Sequence, residues 1–366
     1  MLDEIALIGP DHAANDVDFD AWTKAAALIK AGNAGQLQGF KNRLVNGNFS
    51  INQRLAASCA DDTYCHDRWY ALTQSNALAP STLTDPENGA PTGARLSQSN
   101  ASAQRIGIAQ IIESANCRDL RGAIASLAGR VRLSTSADVC YAVLAWTGAA
   151  DAVTSDVVND WASASYAAGG FFLGSNLSVV VVGEVACAAN TWRTLNPISG
   201  AVSAGANNII VMAWTKNTVA QNVTLDFNRM QLEPGAKATA FEVRPAAIEL
   251  ALCQRYFEKS FLQAVAPAQN AGLDGASGFV QGVGAAVNFV GGSIFFRVSK
   301  RAAPSVTLFN PSAANAQMHN STIVADASAA GVFAIANGSC LIYATSAAGS
   351  AAGNFNAVQW TANAEL

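Results

Sequence analysis

Residues 222–257 read NVTLDFNRMQLEPGAKATAFEVRPAAIELALCQRYF, and they constrain the chain more than any other stretch. Val223, Leu225 and Phe227 alternate with Thr224, Asp226 and Asn228, the period of a half-buried strand. Met230 and Leu232 continue the apolar series on even numbers, so one extra residue, a β-bulge, is expected near Asn228-Arg229. Glu233-Pro234-Gly235 predicts a turn, Pro fixing φ at one central position and Gly free for positive φ at the next. Thr239, Phe241 and Val243 restart a strand. Pro245 then opens a helix over 245–259, where its missing N–H costs nothing. Ile248, Leu252 and Tyr256 recur once per turn on one face, and Glu249 early with Arg255 and Lys259 late suits the helix dipole.

Period-two patterning stands on both sides of this junction. Before it, Phe49 and Ile51, Ile106, Ile108 and Ile112, Val131 and Leu133, Tyr141, Val143 and Ala145, the run 171–185, and Ile209, Val211 and Ala213 mark six or more strands separated by Gly, Asn and Ser turns. That predicts an antiparallel sandwich over 41–244 and argues against a doubly wound α/β fold. After it, strands are expected at 293–299, 305–309, 331–336, 339–345 and 355–361 of a second, smaller β domain over 260–366. There Ile294, Phe296 and Val298 point one way and Phe295 and Arg297 the other. A domain of this size, so rich in Gly and Ala, has a thin core that association with further copies would thicken. Residues 1–40 differ: 18–30 (DFDAWTKAAALIK) predicts one short helix capped by Asp18 or Asp20, which needs something to pack on.

The junction segment resembles one found in bacteriophage tail fibre and receptor-binding proteins. The matching residues are Gln231-Leu232-Glu233, Gly235, Ala238-Thr239, Phe241-Glu242 and Arg244-Pro245, then Glu249-Leu250, Leu252-Cys253 and Arg255-Tyr256-Phe257. Residues 42–54 (NRLVNGNFSINQR) with Asp67-Arg68-Trp69-Tyr70 are similar to the opening of the carbohydrate-binding-like jelly roll of such proteins. Residues 300–307 (KRAAPSVT) and 360–366 are similar to their C-terminal domain. The resemblance implies a mainly β chain: a jelly roll over 41–244, a connecting helix over 245–259 and a β-sandwich over 260–366. It further implies a homotrimer, residues 1–40 docking on other virion tail or baseplate proteins, and adhesion to a host-surface glycan. A non-adhesive connector or capsid decoration protein, and a polysaccharide depolymerase, are the alternative readings. Jelly rolls of this type hold a structural calcium near their first and last strands, and the resemblance places Asp226 there; no other cofactor is implied.

Composition excludes some classes. Charged residues make up 13% of the 366, about half the share of an average soluble protein, and net charge is −4. A nucleic-acid binder would show a basic face, and Arg130 with Arg132 is only one strand's solvent side. The run 177–182 is too short to span a bilayer, so no membrane insertion is expected. Asp3 and Glu4 stand where a secretory signal would be basic, which points to synthesis in a host cytoplasm and to a place in the virion. Seven scattered cysteines then predict reduced, buried thiols, and Cys59, Cys65 and His66 lack zinc-site spacing.

No catalytic motif emerges. Asp61-Asp62, Glu113, Asp119, Glu184, Asp226 and Glu233 could supply the paired carboxylates of glycoside hydrolysis, but no spacing singles out a pair. Asp226 and Glu233 are expected to serve backbone or Arg groups such as Arg229 or Arg244. With three histidines and no nucleophile elbow or phosphate loop, a non-enzyme is predicted. For ligand binding, Trp161 and Tyr166 lie in the long segment 151–170, and either face a sugar or plug the sandwich end. Trp69, Tyr70, Trp146 and Trp214 are expected in the core. His319 and Asn320, in an unpatterned stretch, are candidates in a distal loop.

Overall fold

A computed structural model describes residues 40–87 and 90–366. The helix expected over 18–30 and the attachment role of 1–40 lie outside the described residues. The fold is mainly β, with several antiparallel sheets in a sandwich-like arrangement and, among the described residues, one short α-helix, as expected from the alternating patterns.

Twelve strands lie within the described residues of 40–234: β1 (Tyr64–His66), β2 (Trp69–Thr73), β3 (Ala79–Glu87), β4 (Ala90–Ser97), β5 (Ile106–Ile112), β6 (Ile124–Leu133), β7 (Ala137–Trp146), β8 (Leu177–Cys187), β9 (Arg193–Thr194), β10 (Ile198–Ala201), β11 (Asn208–Thr215) and β12 (Thr224–Pro234). One sheet runs β1-β2-β5-β11-β7-β8; the other runs β10-β6-β12-β4-β3, with β9 also on β6. Their facing sides interlock in one core. Ile106, Ile108, Tyr141, Val143, Ile209 and Val211 come from the first sheet and Leu96, Leu127, Val131, Leu225, Phe227 and Leu232 from the second. Period two forces the other side chains of the first sheet onto its outer face. They too are apolar: Tyr70, Leu72, Ile111, Cys140, Leu144, Met212 and Trp214 are buried under Val153, Val157, Val158, Phe171 and Phe172 of the segment 147–176.

β12 carries the expected bulge: its register on β6 shifts between Asn228 and Gln231, and Arg229 has φ 52°. Glu233 and Pro234, expected in a turn, instead pair with β6 at the end of β12, and the chain bends from Gly235, whose φ is +117°. The strand expected at 239–243 does not form, because side chains take its ladder bonds. Thr239 N–H donates to Glu233 Oε1 at 2.6 Å and Glu242 N–H to Gln231 Oε1 at 2.7 Å. Helix α1 spans Ala246–Gln254, shorter than 245–259, since β13 (Phe257–Lys259) pairs with the last strand of the chain. Its inward side differs from the expected one. Ile248 is exposed, while Glu249 is buried, accepting from Asn46 N–H and pairing with Arg244.

The remaining strands are β14 (Ser277–Val280), β15 (Asn288–Phe295), β16 (Ser305–Phe309), β17 (His319–Asn320), β18 (Ala325–Asp326), β19 (Ser328–Phe333), β20 (Ser339–Thr345) and β21 (Phe355–Asn363). β21 is the axle: β13 and β16 both pair with Asn363, β14 and β17 both with Ala357, so it is flanked on both edges. A three-stranded sheet, β15-β20-β19, closes a smaller core of Ile294, Phe296, Met318, Ile342, Val358 and Trp360.

Candidate functional site

The segment 147–176 returns from β7 to β8 across the outer face of the first sheet. Asp151 pins its start: Oδ1 accepts from Ser114 N–H at 2.8 Å and Asn208 Nδ2 at 2.7 Å. Phe171 stacks on Trp214, centroids 5.0 Å apart and planes 20° apart. Trp161 meets Phe171 edge-on at 5.6 Å, and Tyr166 meets Phe171 at 5.3 Å and Trp214 at 5.4 Å. The structure therefore brings Trp161 and Tyr166 together as the rim of an aromatic cover on the sheet face, not as a plug at the sandwich end. Burial pushes the Tyr166 hydroxyl up, helped by its contact with Cys140. Trp69 and Tyr70 are wholly buried as expected, and so is Trp214; Trp146 is only partly so.

His319 and Asn320 are not in a distal loop. Both are buried in β17, between β18 and β21. His319 Nδ1 sits 2.8 Å from Asp326 Oδ1, and Asn320 Oδ1 accepts from Thr322 N–H at 3.0 Å, so their polar groups serve the fold.

Most candidate carboxylates are committed to other groups. Asp226 is 1% exposed; Arg95 Nε donates to Oδ1 at 2.7 Å and Nη2 to Oδ2 at 2.9 Å, while Arg132 Nε donates to Oδ2 at 2.8 Å. These partners are Arg95 and Arg132 rather than Arg229 or Arg244. Two guanidinium groups at one carboxylate repel a further cation, and a calcium needs six to eight oxygens. Among the described residues no three His, Cys, Asp or Glu side chains gather in a metal-holding group. The residues at Asp226 do not fit calcium. Glu233 accepts from Thr239 Oγ1 at 2.8 Å, Glu184 from Lys216 at 2.7 Å, and Asp119 pairs with Arg43. Glu113 accepts from Arg255 Nη2 at 2.6 Å and the Tyr256 hydroxyl at 2.8 Å; burial raises its pKa, but these partners outweigh it and hold the carboxyl below its usual range.

Asp61 and Asp62 differ. Burial, then the charges of Asp61 and Asp156, push Asp62 up to about 7. Asp61 is raised as well, again mainly by burial, although its Oδ1 accepts from Thr73 N–H at 2.6 Å. Three acids crowd where the turn before β1 meets the cover. All seven cysteines are buried and unpaired. His66 is buried with Nε2 3.2 Å from the Ser81 carbonyl, and burial lowers its pKa to about 4.

A cleft of about 280 Å³ opens between β15 and the β13–β21 sheet. Glu258, Ser260, Ser277, Phe295, Arg297 and Trp360 line it. Sequence reading missed it as a site. Its one sequence signal was the alternation that puts Phe295 and Arg297 opposite Ile294 and Phe296, and this holds: Phe295 is 75% exposed, Ile294 3%.

No protein-family model matches the chain, and no curated protein matches its sequence. Several solved structures resemble part of it. The module TmCBM61, in complex with β-1,4-galactotriose, is 10% identical with a TM-score of 0.32, over 54% of this chain and 100% of its own. The enzymatically active domain of tailspike protein 4 of bacteriophage CBA120 is 13% identical with a TM-score of 0.32, over 53% of this chain and 21% of its own. A Clostridium thermocellum endo-1,4-β-D-xylanase 10B structure with xylohexaose is 12% identical with a TM-score of 0.33, over 54% of this chain and 29% of its own.

Proposed function

We propose that this protein is a bacteriophage tail fibre subunit that attaches the virion to a host-surface glycan, without catalysis of its own. The observation that carries the reading is the junction. Several residues that resemble the tail fibre signature hold it together: Gln231 and Glu233 hold 239–242, Arg244 holds Glu249, and Arg255 with Tyr256 holds Glu113. The attachment mechanism is avidity, many weak contacts made at once by copies held on one particle. In this reading the subunit is a homotrimer, which light scattering at micromolar concentration would test.

The experiment is binding of the purified chain to whole bacteria and to their extracted surface polysaccharides. Saturable binding that free polysaccharide competes away is expected; no binding to any of them would remove the adhesion reading. A second reading, a non-adhesive connector or capsid decoration protein, is favoured by one finding: Trp161, Tyr166, His319 and Asn320 all serve packing. Imaging of the assembled particle with this chain located separates the two. A reducing-sugar assay on the same polysaccharides tests the depolymerase alternative, against which stands the pairing of most candidate acids with cations or backbone groups.

A further inference from the structure

The cleft between β15 and β21 combines three features that a merely structural surface does not need. Phe295 stands mostly in solvent at its wall, although a ring of that size gains by burial. Ser260, Ser277 and Ser293 line it; the Ser260 hydroxyl is committed to Trp360, accepting its backbone N–H at 2.9 Å, while Ser277 Oγ accepts from Trp360 Nε1 at 2.9 Å, which directs its proton elsewhere. The third feature is charge. Glu258 is wholly buried and neutralised by Lys300, Nζ to Oε2 2.5 Å, while its Oε1 accepts from the Arg297 backbone N–H at 3.0 Å. The Arg297 guanidinium is exposed, and no hydrogen-bond or ion-pair partner engages it among the described residues. One positive charge is left over at the mouth.

We propose that this cleft binds one carboxylate-bearing sugar unit of a surface glycan, its ring face on Phe295 and its carboxylate on Arg297. The proposal rests on the glycan-attachment function above and names the site and ligand class for it. Aromatic faces suit the C–H-rich face of a pyranose, and a planar guanidinium meets a carboxylate in two parallel hydrogen bonds. A volume near the lower end of small-ligand sites suits a single ring rather than a buried oligomer. Because Lys300 is spent on Glu258, selectivity for an anionic over a neutral ring falls to Arg297.

The test is calorimetric titration of the full chain with carboxylated glycans (oligogalacturonate, alginate and polysialate oligomers) and neutral ones (galactan, dextran and mannan oligomers). Dextran sulfate serves as the polyanion control. At least one carboxylated glycan binds about tenfold tighter than every neutral one, and its affinity falls with salt. Arg297→Gln and Phe295→Ala each weaken that binding about tenfold with unchanged thermal unfolding, since both side chains are exposed. Affinity for carboxylated glycans no better than for neutral ones, or binding that survives both substitutions, overturns the cleft assignment. So does binding of every polyanion alike that Phe295→Ala leaves intact, which marks charge attraction alone. If wild-type protein also ignores whole bacterial polysaccharides, attachment itself fails; if it binds them by a face these substitutions leave intact, only the cleft does.

Discussion

The guanidinium carbon of Arg68 lies 3.6 Å from the centre of the Tyr256 ring. Arg68 sits in the turn between β1 and β2, and Tyr256 follows α1, so the contact clamps the first sandwich onto the far end of the junction. Arg68 also donates to the Ile111 carbonyl and pairs with Glu365, near the end of the chain. Arg54 reaches the same carboxylate at 3.0 Å and lies 4.0 Å over the Phe257 ring. Residues 43–366 form one compact unit for this reason: the junction is stitched from both sides rather than left as a free rod.

Arg68→Met removes a buried charge from an ion pair with Glu365, which then keeps only Arg54. A loss of about 3 kcal/mol is expected in urea unfolding. Glu365→Gln added to Arg68→Met should cost less than the two single losses summed, by about 1 kcal/mol or more. Full additivity would mean the clamp carries no coupling.

Asp62 gives a pH signature. Its carboxyl titrates near 7 in the folded chain and near 4 when unfolded, so the protonated form fits the fold better. The Asp62 contribution to stability therefore falls as pH rises from about 4 to about 7 and is flat above. Asp62→Asn should stabilise by about 1 kcal/mol at pH 8, after allowance for solvent screening, and by almost nothing at pH 4. Asn also tolerates the φ of 58° held there. Thermal melts of both proteins across that range decide it.

Gly107, the second residue of β5, has no room for a side chain. A Cβ there would stand 2.7 Å from the Ala213 carbonyl oxygen and 2.8 Å from Trp214 Cβ. Gly107→Ala should cost about 2–3 kcal/mol through overpacking against β11, read as a lower denaturation midpoint with an unchanged urea slope.

Trp161→Ala separates packing from recognition. As the rim of the aromatic cover, Trp161 should contribute about 2 kcal/mol, and its loss should speed amide exchange within 147–176. Glycan binding should not change; a loss of binding with unchanged stability would return Trp161 to the ligand.

How much of this was legible beforehand follows from the range of each interaction. The bulge at Asn228-Arg229, the positive φ at Gly235 and the alternation of Ile294, Phe295, Phe296 and Arg297 were legible, because each depends on neighbours one or two residues away. Where a distant partner decided, the reading failed. Thr239–Val243 has strand-like alternation, yet Gln231 and Glu233 took its backbone donors. Glu249 reads as a surface helix residue, yet Arg244 and the Asn46 amide made it the buried one. The expectation that Asp226 serves Arg groups holds, but the partners are Arg95 and Arg132, far away in the chain, rather than Arg229 or Arg244.

Local order alone thus settled the class: pleated strands alternating greasy and polar, broken by glycine and asparagine turns, with a proline-led helix between runs of strands. Which charges pair with which waited for the third dimension. An ion pair is set by distances of a few ångströms between side chains that can lie a hundred or more positions apart, and no periodicity records them. So only the folded chain could tell which carboxylates are spent, which face of the first sheet is covered, and that Arg297 keeps its charge free beside Phe295.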